Sequence, residues 1–176
     1  MAGNLAPLPA PDPDGFPSAF VAGRVVALRI FVSGKTEPKA RHRSRVVNPK
    51  DGGKPWVQTY PEAKTVNWED RVAGQAIAQI AGVTVLGTGV DFVLPFAGRV
   101  LISLRFNLHK PVSYSSAVVD HLKRPDVDNL AKAVLDGLQK GRIMIEDNLV
   151  TDLSVRKRYV SPGHPEGVEI DLTAFG

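Results

Sequence analysis

Alternating apolar and polar side chains mark four stretches of this chain as β-strands, because successive residues of a strand point to opposite faces of a sheet. The predicted strands cover residues 24–33, 99–108, 149–160 and 167–173. The alternation is clearest in the second stretch, where Val100, Ile102 and Leu104 share one face and Arg105 lies on the other. The first stretch is apolar on both faces over most of its length, so we expect it to be largely buried.

Two further stretches repeat apolar residues every three or four positions, which is the spacing of one helix face. The first predicted helix opens at Pro61 and runs for about 20 residues until Gly82 stops it. Its buried stripe is expected to contain Val66, Trp68, Val72, Ala73, Ile77 and Ile80. The second predicted helix covers about 127–140 and ends at Gly141, whereas residues 34–55 read as a long loop or loose hairpin. This order predicts a single α+β domain with a mixed β-sheet and two main helices.

The first 23 residues differ in composition from the rest of the chain. They contain five of the 14 prolines and no lysine or arginine, which predicts a disordered, proline-rich tail at 1–23 and a folded domain at 24–176. All 22 basic residues therefore fall in the domain, whose excess of positive charge is larger than the +4 of the whole chain. A basic domain permits a polyanionic partner. The absence of cysteine excludes disulfides, Cys-ligated metal sites and thiol nucleophiles.

Residues 72–90 form an uncharged stretch that is long enough to raise the question of a membrane span. The stretch contains four glycines and two glutamines, so we interpret it as the end of the buried helix followed by a glycine-rich loop. The tail also lacks the basic residues of a secretory signal. We therefore expect a cytoplasmic protein without a membrane partner.

Acidic residues gather at the start of the second predicted helix. Pro125 disfavours a helical residue before it, so the chain is extended there and Asp126 and Asp128 point to the same side. Lys132 follows Asp128 by one helical turn and lies over the same edge. The alternative is structural, because aspartate is a favoured helix N-cap and an Asp–Lys pair four residues apart is ordinary helix chemistry.

A second acidic pair, Glu146–Asp147, follows the same helix. The apolar run 143–145 can return the chain alongside the start of the helix and bring these carboxylates to the first pair. Carboxylates that converge repel one another, and a hard divalent cation with oxygen ligands relieves the repulsion. None of the four histidines has the spacing of a metal site. The residues therefore predict a site for Mg²⁺, with Mn²⁺ as the alternative ion.

The sequence around this cluster resembles the RusA family of crossover-junction endodeoxyribonucleases. The resemblance rests on R-P-D-V-D-N-L-A-K at 124–132, I-E-D-N at 145–148 and a basic opening, P-K-A-R-H-R, at 38–43. It implies a RusA-like fold and a Mg²⁺-dependent endonuclease that resolves four-way (Holliday) junctions of DNA in recombination and repair. It further implies a homodimer and, for many members, a phage origin.

The resemblance also assigns roles to individual residues. It implies that Asp126, Asp128 and Asp147 bind the metal as catalytic residues, and that Lys132 is the catalytic lysine. The later acidic pair of the family is usually Asp-Asp, whereas its first member here is Glu146, so we place the ligand role on Asp147. A structural pairing of Lys132 with Asp128 is the alternative for the lysine.

Basic residues around the acidic cluster are expected to bind the phosphates of branched DNA. The candidates are Lys35, Lys39, Arg41, Arg43, Arg45, Arg124, Arg156, Lys157 and Arg158. Strand alternation should turn Lys157 away from Arg156 and Arg158, and one of these two sides should pass the acidic cluster. Trp56 and Tyr60 could stack on bases or pack against the protein. Other interpretations are solvated surface charge, a non-catalytic nucleic-acid-binding protein, and a metal-dependent nuclease for another branched or RNA substrate.

Overall fold

In the computed structural model, five strands form one mixed sheet and two helices cover one of its faces. The structure describes residues 19–22, 25–50, 52–81, 94–115, 117–161 and 163–175. The elements are β1 (Ala19–Ala22), β2 (Val25–Ser33), β3 (Arg43–Val47), β4 (Trp56–Tyr60), α1 (Ala63–Ala81), β5 (Val100–Leu108), α2 (Val127–Lys140), a short 3₁₀ helix (Asp147–Leu149), β6 (Val150–Tyr159) and β7 (Gly167–Phe175). The predicted α+β class with a mixed sheet and two helices is confirmed.

The strands of the sheet lie in the order β1-β2-β7-β5-β6. Neighbours are antiparallel except β5 and β6, which run parallel and are connected through α2. A parallel pair needs such a crossover because the chain must return to the starting edge before the second strand begins. The crossover sets α2 against β6, and the first turn of α2 carries the predicted site.

The core lies between the sheet and the two helices. Alternate residues of β2, β5 and β7 are buried on the helix-facing side, whereas Arg29, Arg105 and Asp171 lie on the opposite side in ion pairs. Helix α1 packs against both β2 and α2. The two helices approach closely at Gly137, where a Cβ atom would lie 2.6 Å from Cβ of Val72.

The buried stripe of α1 differs from the prediction at Val66, which is only half-buried, and at Ile77. Its apolar members Trp68, Val72, Ala76 and Ile80 recur every four residues, together with Ala73. Ile77 was expected in this stripe, but it is 47% exposed. The helix therefore presents a narrower apolar face than the sequence suggests, and Ile77 lies outside it.

The four predicted strands and both helices are present with small shifts at their ends. Helix α1 begins at Ala63 rather than Pro61. The range 34–55, predicted as a loop or loose hairpin, holds only the first strand of a hairpin, because its second strand, β4, lies just beyond the range. The predicted tail lies outside the described residues except for Ala19–Ala22, which pair with β2 and are therefore part of the sheet. Among the described residues, no helix is long and apolar enough to cross a membrane; residues 82–90 of the uncharged stretch are outside that set.

Two glutamines of α1 occupy the edge of β2 where its pairing with β1 ends. Gln79 accepts a hydrogen bond from the Phe31 amide at 3.0 Å and donates one to the Phe31 carbonyl at 2.7 Å. Gln75 accepts one from the Ser33 amide at 2.8 Å. These side-chain amides take the place of a neighbouring strand along this part of the edge.

Candidate active site

The first turn of α2 displays two carboxylates. Asp126 is the N-cap residue, with extended backbone angles (φ −75°, ψ 147°), yet its side chain makes no capping hydrogen bond. Asp128 lies in the first helical turn, and both residues are exposed. The capping interpretation that the sequence left open is therefore not what the structure shows for Asp126. Its carboxylate stays available to a ligand.

Lys132 connects α2 to the segment that follows it. Its ammonium group donates a hydrogen bond to Asp147, the first residue of the 3₁₀ helix, and lies 3.1 Å from Asp136. The hydrogen bond from Lys132 lowers the pKa of the Asp147 carboxyl, and the same contact raises the pKa of Lys132. The apolar run 143–145 thus returns the chain as predicted, because Met144 forms a bridge with Phe96 and Asp147 reaches α2. Among the ion pairs of the described residues, Lys132 pairs with Asp136 and Asp147, and the alternative pairing with Asp128 is not found.

Glu146 has a different environment from its neighbour Asp147. Its carboxylate accepts a hydrogen bond from the side-chain amide of Asn148 at 2.8 Å, within the same turn. The member of the acidic pair that contacts Lys132 is Asp147. The choice of Asp147 over Glu146 as the metal ligand stays a prediction.

The predicted metal site can be compared with these positions. Three carboxylates are suitable donors for a hard cation such as Mg²⁺, and Asp126 and Asp128 are both exposed. Among the described residues, however, no three histidine, aspartate or glutamate side chains lie close enough together to hold a metal ion. The Asp147 carboxylate is bound to Lys132 in this arrangement. The chemistry of the donors fits the ion, and the site itself stays a prediction.

A network of alternating charges continues from Lys132 into the protein. Asp136 lies between two lysines, because its second oxygen is 2.5 Å from Lys39. Lys39 also contacts Glu69 of α1 at 2.6 Å. Burial by itself lowers the pKa of Lys39, but the hydrogen bonds with Asp136 and Glu69 outweigh it and the pKa is raised. The order Glu69–Lys39–Asp136–Lys132–Asp147 joins both helices to the candidate site.

The sequence did not predict this network, and we had expected Lys39 to bind DNA. In the structure its side chain is 29% exposed and is held by two carboxylates, and its amide donates to the Asn129 carbonyl at 2.8 Å. One sequence signal did exist. Glu69 falls within the buried stripe of α1, and a charged residue at such a position requires a buried partner.

The other predicted DNA-binding residues of the N-terminal half are more exposed. Lys35 is 76% exposed beside Glu37, and Arg41 is exposed. Arg43 and Arg45 lie on β3, where Arg43 pairs with Glu62 and Arg45 stands 5.9 Å from the centre of the Tyr60 ring. Trp56 and Tyr60 of β4 are 51% and 40% exposed, so neither is a core residue. The hairpin thus presents arginines and aromatic rings to solvent.

Strand β6 separates its basic residues as alternation predicted. Lys157 points to the helix side and donates hydrogen bonds to the carbonyls of Lys123 at 2.6 Å and Pro125 at 2.8 Å. Arg158 lies on the other side and binds Asn107 at 2.8 Å. The side of Lys157 is therefore the one that passes the acidic cluster, and Lys157 anchors the segment that leads into α2. Arg124 in that segment and Arg156 on β6 are exposed.

Exposed carboxylates and a lysine at the start of a helix, beside a basic surface, are compatible with an enzyme that acts on nucleic acid. Comparison with protein families makes this class specific, because residues 35–173 match the family model described as Endodeoxyribonuclease RusA. The match covers most of the chain, and the protein belongs to the RusA family of endodeoxyribonucleases, which act on branched DNA. A search of curated proteins finds no match.

Proposed function

We propose that this protein is a Mg²⁺-dependent endodeoxyribonuclease that resolves four-way DNA junctions by paired hydrolysis of phosphodiester bonds. The observation that carries the proposal is the contact between Lys132 and Asp147 beside the exposed carboxylates of α2, within the region matched by the family model. The contact joins the two motifs through residues that are 15 positions apart in sequence. The same two motifs carried the resemblance in the sequence.

In this proposal Asp126, Asp128 and Asp147 hold the metal ion. When bound, such an ion polarises a phosphate oxygen and lowers the pKa of a water molecule. Lys132 offers a positive charge near the scissile phosphate, where negative charge increases as the bond breaks. Asp136 fixes the position of the Lys132 ammonium group, so Asp136 is a positioning residue.

Substrate binding is assigned to the exposed basic residues. Lys35, Arg41, Arg43, Arg45, Arg124 and Arg156 are the exposed members of the predicted set. Contacts of this kind release counterions from the DNA, so the affinity should fall steeply with salt concentration. Lys39, Lys157 and Arg158 have protein partners and are expected to contribute less.

A homodimer is part of the same proposal. A four-way junction has approximate two-fold symmetry, and paired cuts require two active sites related by such an axis. A dimer with a two-fold axis supplies two identical sites in matching orientation. The dimer can be tested by sedimentation or light scattering of the protein with and without a junction.

The function is tested by comparing a labelled four-way junction with a linear duplex of the same sequence, in Mg²⁺ and in EDTA. We expect paired nicks on the junction alone, and loss of cleavage in EDTA and in Asp128→Asn. Asp70→Asn is the matched control. Asp70 pairs with Lys140, which lies at the far end of α2, about 18 Å along the helix axis from Asp128. We expect the Asp70→Asn variant to cleave normally.

Three results would contradict parts of the proposal. Junction binding without cleavage in Mg²⁺ or Mn²⁺ would indicate a non-catalytic binding protein. Equal cleavage of the linear duplex would indicate a nuclease without selectivity for branched DNA. Undiminished cleavage by Asp128→Asn would remove this residue from the site.

A further inference from the structure

The hairpin of β3 and β4 lies outside the five-stranded sheet, as a two-stranded sheet of its own. Every residue of its two strands is exposed except Val47, which is half-buried. An isolated two-stranded hairpin is at best marginally stable in water, and large apolar side chains normally pack in a core. The apolar and aromatic side chains of this hairpin are therefore not explained by packing within the domain.

The register of the hairpin sorts its side chains onto two faces. Residues directly opposite each other across an antiparallel pair share a face, and successive pairs alternate between the faces. One face, which we call the arginine–aromatic face, carries both arginines and both aromatic rings; its members are Arg43, Arg45, Val47, Trp56, Gln58 and Tyr60. The other, the valine face, consists of Ser44, Val46, Val57 and Thr59.

The arginine–aromatic face presents rings and positive charge side by side. Trp56 and Tyr60 are about half-exposed, and the Arg45 guanidinium lies 5.9 Å from the centre of the Tyr60 ring. Arg45 also donates a hydrogen bond to the side-chain oxygen of Gln58 at 2.9 Å. Proteins bind unpaired nucleotides with this combination, because aromatic rings stack on bases while basic side chains attract the phosphates.

Charge indicates which kind of partner suits the hairpin. Between residues 43 and 60 the sequence contains one acidic residue, Asp51, and four basic residues, Arg43, Arg45, Lys50 and Lys54. Lys50 and Lys54 belong to the connection between the strands and are exposed. A second protomer that met this surface across a two-fold axis would bring like charges together. A polyanion fits the surface better than another copy of the chain does.

The hairpin is anchored next to the candidate active site. The Lys39 amide donates a hydrogen bond at 2.8 Å to the carbonyl of Asn129, the residue that follows Asp128. Strand β3 begins four residues beyond Lys39, so Arg43 is at most about 14 Å from it. That distance corresponds to roughly four nucleotides of a DNA strand. One DNA molecule can therefore contact the base of the hairpin and the start of α2 at the same time.

Branched and linear DNA differ in the base faces that they offer to such a surface. Inside a linear duplex each base pair is stacked on both sides. At a branch point the stacks of the arms are interrupted, so the last base of an arm can lose its neighbour on one side. Because every base has a π-face, an aromatic side chain can stack there with little dependence on sequence.

We propose that the arginine–aromatic face binds the branch point of the DNA substrate. Trp56 and Tyr60 stack on bases at the ends of the arms, and Arg43 and Arg45 contact the neighbouring phosphates. The inference rests on the proposed function, since it takes branched DNA as the substrate. It adds the element by which the protein distinguishes a branch point from a linear duplex.

The test uses the full-length protein in EDTA, which keeps the DNA uncut, and records tryptophan fluorescence during titration with a four-way junction or a linear duplex of the same sequence. The chain contains two tryptophans, and Trp68 is only 2% exposed, so Trp56 is the one that reports contact with DNA. We expect the junction to quench the emission of Trp56 and the duplex to leave it nearly unchanged. Trp56→Phe should remove the quenching but keep most of the junction affinity, because a phenyl ring still stacks.

Two alanine variants measure what the rings contribute to binding. Trp56→Ala and Tyr60→Ala should each weaken junction binding by about 5- to 100-fold, the effect of losing one stacked base, and leave duplex binding nearly unchanged. The matched control is Val57→Ala, which shortens an exposed side chain of the same strand on the valine face. We expect Val57→Ala to bind both DNAs like the wild type.

The outcomes distinguish this inference from the proposed function. Cleavage of junctions in Mg²⁺ without quenching of Trp56 would overturn the stacking and leave the nuclease intact. Quenching by the junction without cleavage in Mg²⁺ or Mn²⁺ would support the stacking and overturn the nuclease.

Three further results would overturn the inference. Equal losses of junction and duplex affinity in Trp56→Ala would remove the selection of branch points. The same loss in Val57→Ala would make the effect one of hairpin stability. Dimers that dissociate in Trp56→Ala without DNA, measured by light scattering, would make the hairpin a contact between protomers.

Discussion

Replacing Lys39 with methionine tests the charge network between the helices. Methionine keeps much of the apolar stem but leaves Glu69 and Asp136 without the ammonium group between them. These two carboxylates are 11% and 18% exposed, so each loses a partner in a poorly solvated place. Removing one partner of a fully buried pair costs about 3–5 kcal/mol, whereas an exposed pair contributes about 0–1 kcal/mol. Since Asp136 keeps Lys132, we expect Lys39→Met to lower the free energy of unfolding by about 2–3 kcal/mol.

Urea denaturation measures this loss. With an m-value of about 2 kcal/mol/M, the midpoint should fall by about 1–1.5 M. Lys140→Met is the matched control, because it removes an exposed ion pair with Asp70. This variant should lower the free energy of unfolding by about 0.5 kcal/mol. Glu69→Gln added to Lys39→Met should recover part of the loss, because it removes the stranded charge. Equal midpoints for Lys39→Met and Lys140→Met would refute the argument from burial.

The same variant separates the structural role of Lys39 from DNA binding. A side chain that contacts one phosphate contributes about 0.9 to the slope of log affinity against log salt. We expect Arg41→Met to reduce that slope and Lys39→Met to leave it unchanged. A reduced slope for Lys39→Met would return this residue to the DNA-binding set.

Three further predictions concern the site and the helix contact. The hydrogen bond from Lys132 lowers the pKa of the Asp147 carboxyl. The ionised carboxylate therefore stabilises the fold above its ordinary pKa, and this stabilisation is lost as the pH falls through the folded-state pKa. In Lys132→Met, NMR titration should find a higher pKa for Asp147. Lys157→Met should increase amide exchange between residues 123 and 126 and slow cleavage, because two hydrogen bonds to that segment are lost. Gly137→Ala should lower the free energy of unfolding by about 1–3 kcal/mol, because the added methyl group clashes with α1. Gly74→Ala on α1 is the control: its methyl group meets open space, so thermal melts should show a neutral or stabilising effect.

Local patterns in the sequence were sufficient for most of the fold. Strand β5 alternates so regularly that its ends could be placed within one residue, and the Gly141 stop of α2 was correct. Both signals depend on neighbouring residues and on backbone chemistry alone. The Lys132–Asp147 contact was also within reach, since the apolar run between them had to return to the core.

Features that depend on distant residues were missed. Lys39 and its partners Glu69 and Asp136 come from three segments, and no local spacing relates them. The exposure of Ile77 likewise depends on how α1 lies against α2 and β2, which its own periodicity does not encode. These contacts are products of the tertiary arrangement.

The glutamines along β2 bear on how two copies of the protein can associate. An unpaired strand edge can recruit a strand from another molecule and extend the sheet across the interface. Around Phe31 and Ser33 the hydrogen-bonding groups of the backbone are already taken by Gln75 and Gln79 of the same chain. This stretch therefore cannot template a continuous intermolecular sheet. Among the described strands of the five-stranded sheet, β1 and β6 are left as the edges through which two protomers could join. Gln79→Ala would expose the backbone groups of Phe31 without touching the candidate active site.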